Sequence, residues 1–402
     1  MIRCLLVILA VTMGAKALAQ DENPLFGVLQ DHTYPLGYGP DGVSDEGGDY
    51  LNARAREAGL VGFGEQHATA DIALFARAWF HDLREFGFDH AVIEVGPWST
   101  QSAEALLRGR PGAFENDAAS RADGLAYPFL FFQEEADLAR DMVQSHQAKG
   151  PALWGVDQEF VASGSILADR LEHLARTEAQ SLAVTDFRSQ LEQSPWLVGA
   201  GSAEDFSALQ AAFAQGEPEA IALIGEIIRS NRIYAPFMGR EGSVYAANLE
   251  REQGMKRYFL HAWEQIRLET GDNPEIFLKF GGNHLMRGLS ATNVPSLGNF
   301  ISEWSLSEGI GFFNIMVDCH GGYATDPRTG EPVPCESYFN TQGTMFEGVA
   351  DEGPVVIDLA ALRPLASSTP GLDENARQLI FAFDAYVVLP DVSGATPIQP
   401  VP

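Results

Sequence analysis

Short apolar runs alternate along this chain with stretches of helical spacing, and most of the runs end on a glycine or a charged group. Leu60-Val61-Gly62-Phe63 stops at Gly64, Ala91-Val92-Ile93 at Glu94, and Ala152 to Val156 at Asp157. Ile276 to Phe280 stops at Gly281-Gly282-Asn283-His284, and Phe312 to Val317 is a fifth run. Val355-Val356-Ile357 and Tyr386 to Leu389 supply a sixth and a seventh. Runs of this length read as buried strands. Between the first two, Ile72, Phe75, Trp79 and Leu83 share one helical face, and Gly87 closes that helix. Ala136, Ala139 and Val143 mark another helix near 133–147. Strand–helix alternation predicts an α/β fold, with a mostly parallel sheet flanked by helices.

The pattern changes at two places. Residues 163–270 are helical in spacing and hold no good strand, so they read as a large helical insertion, or lid, within an α/β domain spanning 58–390. Residues 20–57 read as an N-terminal arm, extended over 20–50, which are rich in Gly, Asp and Pro. Within it, Gly37 to Gly42 matches G-x-G-x-x-G, but no clear strand precedes it and no helix follows, so an exposed turn is expected. Asp41, Asp45, Glu46 and Asp49 lack the EF-hand spacing. The Pro-rich segment 391–402 reads as a flexible tail.

The first residues carry an export signature. Arg3 precedes the short apolar run Leu5 to Met13, and Ala17-Leu18-Ala19 is an A-x-A cleavage site. Residues 1–19 are read as a signal peptide, with a mature start near Gln20 or Asp21, and the expected location is periplasmic or secreted. The run is too short to span a bilayer, and no later segment is long and apolar enough to do so. Cys4 leaves with the signal. That leaves Cys319 and Cys335, an even pair expected to form a disulfide in an oxidising compartment. Cross-linking a loop of that length contributes roughly 3 kcal/mol. The formal charge of −29 repels nucleic acid. A small-molecule substrate is the expected partner; the sequence sets no oligomeric state.

Parallel strands bring their carboxyl ends to one edge, where α/β proteins bind ligands. Those ends here carry Glu65 and His67, Glu94, Asp157, and His284 with Arg287. Each has a bland reading alone: Glu65 as a helix N-terminal acid, His67 as a loop histidine, Asp157 as a cap. Their joint placement at strand ends is what points to a site. The chain has no G-x-S-x-G elbow and no H-E-x-x-H helix. Glu and His without a nucleophile suit activation of water, with His67 or a carboxylate taking the proton. His284 and Arg287 would stabilise developing negative charge. Alternatively, Glu65, His67, Glu94 and His284 could hold zinc or manganese, and a metal-bound water would do the same work.

These residues resemble motifs of the superfamily that joins erythromycin esterases, ChaN-like haem-binding proteins and Tiki metalloproteases. Gly64-Glu65-Gln66-His67 resembles its first-strand motif, Val92-Ile93-Glu94 the strand-two acid, and Gly155-Val156-Asp157 the strand-three segment. Arg251-Glu252-Gln253-Gly254-Met255 resembles the helix whose arginine and acid face the cleft. Phe280 to Gly288 resembles the second histidine motif, followed by Leu297-Gly298-Asn299. The resemblance covers scattered motifs over roughly 58–320. It implies that Glu65, His67, Glu94, Arg251, His284 and Arg287 line the site, with His67 as the base. The implied activity is an exported esterase-like hydrolase that cleaves an ester or similar acyl bond and requires no cofactor. The erythromycin esterases place two residues between glutamate and histidine. Here only Gln66 intervenes, a spacing closer to the ChaN-like branch, whereas the long helical insertion looks more like the esterases. A Tiki-type metal-dependent peptidase and a non-catalytic haem-binding or uptake protein are the alternatives.

Overall fold

A computed structural model describes residues 24–401. The segment 1–19 expected to be a signal peptide lies outside the described residues.

All seven apolar runs form strands, and an eighth comes from the N-terminal segment. In chain order these are β1 (Thr33–Pro35), β2 (Leu60–Glu65), β3 (Phe88–Ile93), β4 (Leu153–Gly155), β5 (Glu275–Gly281), β6 (Phe312–Cys319), β7 (Val355–Asp358) and β8 (Ala385–Leu389). They build one eight-stranded sheet in the order β1-β7-β8-β6-β2-β5-β3-β4. The six strands from β8 to β4 are mutually parallel. Within this sheet, β7 and β1 at one edge pair antiparallel. The fold is therefore the expected α/β class with a mostly parallel sheet.

Period-two alternation decides which face each strand residue covers. Val61, Phe63, Ile93, Ile315 and Val317 pack under the helices Ala70–Glu85 and Gln133–Ser145. Leu60, Val92, Leu278, Phe280 and Val388 face the other way, toward Val244–Thr270, Leu297–Glu308 and Glu374–Ala382. Both faces are covered, as parallel sheets require. Residues 163–270 hold no strand. Their helices Gly164–Leu174, Glu178–Gln193 and Pro218–Tyr234 share a core of their own around Leu171, Phe187, Phe213 and Leu223.

Two expectations are corrected. The segment 20–57 is not an extended arm over its described part. It contains helices Pro24–Asp31 and Asp45–Arg56 and strand β1, and Leu25, Leu29 and Leu51 are buried. Gly37–Gly39 and Gly42–Ser44 pair as a small hairpin, so the glycine motif is a turn. Apolar residues spaced among the glycines suffice to anchor the segment. The Pro-rich end is not loose either. Ala395 N–H donates to Ala68 O, Ile398 N–H donates to Phe131 O, and Thr396 O accepts from Gln133 N–H. Proline forbids helix there but leaves carbonyls free to pair with loops. Among the described residues, no helix is long and apolar enough to cross a membrane.

Cys319 at the end of β6 is bonded to Cys335, 16 residues on. Replacing Cys335 by Ser should lower unfolding free energy by roughly 3 kcal/mol, the loop-closure value for this length. Denaturant titration against the oxidised wild type measures it.

Candidate active site

The register of the parallel strands sets the site. Glu65 lies opposite Gly281 on one side and Val317 on the other, and Ile93 lies opposite Lys279 and Gly155. The carboxyl ends of β2, β3, β4 and β5 therefore open on one cleft of about 390 Å³. Its lining includes Glu65, His67, Glu94, Asp157, Arg251 and His284, so six of the seven expected residues are brought together.

Glu94 is the hub. It is 5% exposed, and three side chains and one backbone group meet its two oxygens. Oε1 accepts from Arg251 Nη2 at 2.8 Å and lies 3.2 Å from His284 Nε2. Oε2 accepts from the Gly281 N–H at 2.8 Å and lies 3.5 Å from His67 Nε2. Burial alone would raise the Glu94 carboxyl. His284 and then His67 outweigh it and hold it well below the usual carboxylate value.

Each imidazole is tethered through its other nitrogen. His67 Nδ1 lies 2.9 Å from Glu65 Oε1, and His284 Nδ1 lies 2.6 Å from Glu252 Oε1. Both Nε2 atoms consequently face Glu94. Burial opposes protonation of His67, but Glu65 and Glu94 raise it to about 9. Burial and Arg251 oppose protonation of His284, but Glu94 and Glu252 raise it to about 10. His284 is the more enclosed of the two; the His67 side chain stays 32% exposed toward the cleft, so solvent screens its pairs more. Gly281 allows this approach: a Cβ there would stand 2.5 Å from His67 Nε2. Phe129 stacks on the His67 ring at 4.3 Å between centroids.

Arg251 and Asp157 brace the far side. Arg251 donates to both Asp157 oxygens, Nε to Oδ1 at 2.9 Å and Nη2 to Oδ2 at 2.5 Å. One guanidinium thus links β4, the end of β3 and the helix Val244–Thr270.

Behind Glu65 sits a group that sequence reasoning missed. Lys279, on β5 and 6% exposed, donates to Glu65 Oε1 at 2.8 Å and to both oxygens of Glu135 at 2.7 and 2.8 Å. Burial favours the uncharged amine, yet Glu135 and Glu65 raise the Lys279 pKa above its ordinary value. Burial would raise Glu65, and Lys279 with His67 lowers it instead. A lysine inside the run Ile276 to Phe280 was the available signal, because a buried ammonium needs a carboxylate partner. Phe129, Gln158, Tyr234 and Tyr338, which also line the cleft, carry no motif that singles them out.

Arg287 is the correction. It lies outside the cleft lining. The helical turn Gly282–Leu285 ends at Met286 in an extended conformation, which turns the next residue away. Arg287 Nη2 instead donates to Asp384 Oδ2 at 2.5 Å and Nε to Ser302 Oγ at 3.0 Å. Asp384 is 7% exposed and is also held by Arg363, so Arg287 neutralises a buried carboxylate away from the cleft.

Two substitutions separate these roles. Lys279→Met leaves Glu65 and Glu135 without their cation and should cost about 3–5 kcal/mol, read by denaturant unfolding. Adding Glu135→Gln should recover part of it. Arg287→Ala should also destabilise, through Asp384, yet leave turnover per folded molecule intact.

No family model matches the chain, and no curated protein does. Several solved structures share its fold. A Bacillus cereus protein superposes with a TM-score of 0.57 at 15% identity, over 94% of this chain and 98% of its own. A succinoglycan biosynthesis protein gives 0.61 at 13%, over 95% and 99%. A mutant of the erythromycin esterase EreC, in its open conformation, gives 0.59 at 13%, over 91% and 99%. The sheet, its helical layers and the insertion together have the erythromycin-esterase-like fold.

Proposed function

We propose that the protein is an exported hydrolase that cleaves an ester or similar acyl bond with water activated by His67. One observation carries the reading. His67 Nδ1 is committed to Glu65, whose charge Lys279 holds, so Nε2 is left as the working nitrogen at the cleft floor beside Glu94. The fold shared with an erythromycin esterase supports the same reaction class.

The step follows from that tautomer. With the Nδ1–H retained and donating to the Glu65 carboxylate, the neutral ring offers the Nε2 lone pair to a water. The water oxygen attacks the acyl carbon while its proton passes to Nε2, and the carbonyl electron pair moves onto oxygen. Glu65 and Glu94 stabilise the imidazolium that forms. His284, cationic at neutral pH, and Arg251 supply the positive charge near the developing oxyanion. The tetrahedral species then collapses, and the departing alcohol oxygen takes the proton back from His67. Orientation of the base by a fixed carboxylate is what other hydrolytic sites use.

A divalent metal fits the donor set less well. Both imidazoles have the carboxylate tether that metal-bound histidines commonly show. The Arg251 guanidinium, however, already occupies Glu94 and Asp157, and its charge would repel a cation placed there. Among the described residues, no group of three or more His, Cys, Asp or Glu is arranged to hold a metal ion.

His67→Ala should lower kcat/KM on a cleaved ester by about 10²–10⁴-fold, the usual share of a general base. Wild-type turnover should persist in chelator. Loss in chelator would favour the metal-dependent peptidase, and a haem Soret band lost in His67→Ala would favour the haem binder. No turnover across a broad ester panel sinks the proposal. Because Glu65 and Glu94 raise His67 to about 9, the free base forms only as pH climbs, so kcat/KM should rise through a limb near that value. Glu94→Gln removes one of the raising charges and should move the limb to lower pH.

A further inference from the structure

One polar group in the cleft takes no part in the step above. Gln158 follows Asp157, lines the cleft and is 4% exposed. Its backbone N–H donates to Asp157 Oδ1 at 2.8 Å, and its Nε2 donates to Tyr234 Oη at 3.1 Å. Its Oε1 is buried with no hydrogen-bond partner among the described residues. Burying an amide oxygen without a protein partner costs stability, and folded proteins rarely tolerate it without a use. Tyr234 lines the same cleft. Its oxygen accepts from Gln158, so its own O–H proton remains available.

The pair therefore offers an acceptor and a donor side by side, one residue beyond the carboxylate that Arg251 grips. A hydroxyl satisfies both from a single atom, giving its proton to Gln158 Oε1 and accepting one from Tyr234. If the Gln158 amide is turned over, Nε2 donates to the same hydroxyl and Tyr234 donates to Oε1, so the match survives. An ether oxygen only accepts, and a methylene does neither. Around this pair, Phe129, Phe160 and Tyr338 give apolar walls that suit the carbon faces of a ring. Aromatic walls with a buried donor–acceptor pair favour a molecule that is apolar on its faces and hydroxylated at its edge.

We infer that Gln158 and Tyr234 are specificity-determining residues that select a hydroxyl-bearing substrate, an ester of a cyclic polyol. The inference rests on the hydrolase proposal for its reaction, and on Gln158, Tyr234 and the aromatic walls for its binding.

Two probes share an acetate on a six-membered ring, with and without hydroxyls: methyl 6-O-acetyl-α-glucopyranoside and cyclohexylmethyl acetate. Wild type should prefer the glucoside ester in kcat/KM by about tenfold or more, as sites built to bond a hydroxyl do. Gln158→Leu should erase most of that preference, chiefly through KM, and Tyr234→Phe should reduce it while keeping the ring. Thermal melting shows that each variant is folded. An unchanged preference in both folded variants overturns the inference. Cleavage of neither ester by wild type counts against the hydrolase proposal, and binding then decides the present one. In saturation-transfer NMR, methyl α-glucopyranoside should bind wild type and lose its signal with Gln158→Leu. No binding to wild type, or equal binding to both, overturns it.

Discussion

A buried carboxylate at the end of an apolar strand must find positive charge, and Glu94 shows how far that demand reaches. Leaving it ionised and unpaired at 5% exposure would cost several kcal/mol. Its partners come from three separate stretches of the sequence: His67 after β2, Arg251 on the helix Val244–Thr270, and the segment at the end of β5 that carries the Gly281 N–H and His284. Arg251 belongs to the last helix of the insertion and also grips Asp157. The insertion is therefore tied to the sheet through the charge balance of the cleft. Glu65 repeats the arrangement two strands over, across β5, where Lys279 joins it to Glu135.

The chain also spends backbone freedom to hold these groups. Ala68, directly after His67, has φ of 66°, and Phe129, which stacks on His67, has φ of 63°. Non-glycine residues in this region are uncommon and gather at functional sites. Backbone bonds from elsewhere hold both loops. The Ala68 carbonyl accepts from Thr325 and Ala395, and Phe131 accepts from Ile398. The Pro-rich end thus braces the loops that carry the proposed base and the ring stacked on it.

Strands and strand ends were legible because they obey local rules. An apolar run of three to six residues closed by Gly or an acid can be read without knowing its neighbours, and parallel pairing then gathers Glu65, Glu94, Asp157 and His284. Lys279 within such a run signals a buried cation that needs an acid, but the acid itself was hidden, because Glu135 lies 144 residues away in a helix. Arg287 misled for the opposite reason. It stands three residues after His284, but one extended residue at Met286 is enough to send it to Asp384. The N-terminal segment and the tail were misread because their order comes from partners distant in sequence, β7 for β1 and the Ala68 and Phe131 loops for the tail.

Asp318 connects the disulfide to the same cleft. It is fully buried at the end of β6, and burial pushes it up to about 6 against the hydrogen bonds it accepts. Those bonds come from the Tyr338 N–H to both oxygens at 3.0 Å, from Ser337 Oγ at 2.8 Å, from Tyr386 Oη at 2.9 Å and from the Cys319 N–H at 2.9 Å. Tyr338 is one wall of the cleft, and Cys335, three residues earlier, is bonded to Cys319 beside Asp318. The loop is thus held at two neighbouring points, one covalent and one polar. Replacing buried ion pairs and polar networks by apolar side chains is often neutral or stabilising, so stability alone does not account for so many charges at one sheet edge. Fixed dipoles and charges aimed at a reacting group need no reorganisation when charge develops. That advantage requires walls that do not move, and the strands, the braced loops and the cross-linked Tyr338 segment are what keep them in place.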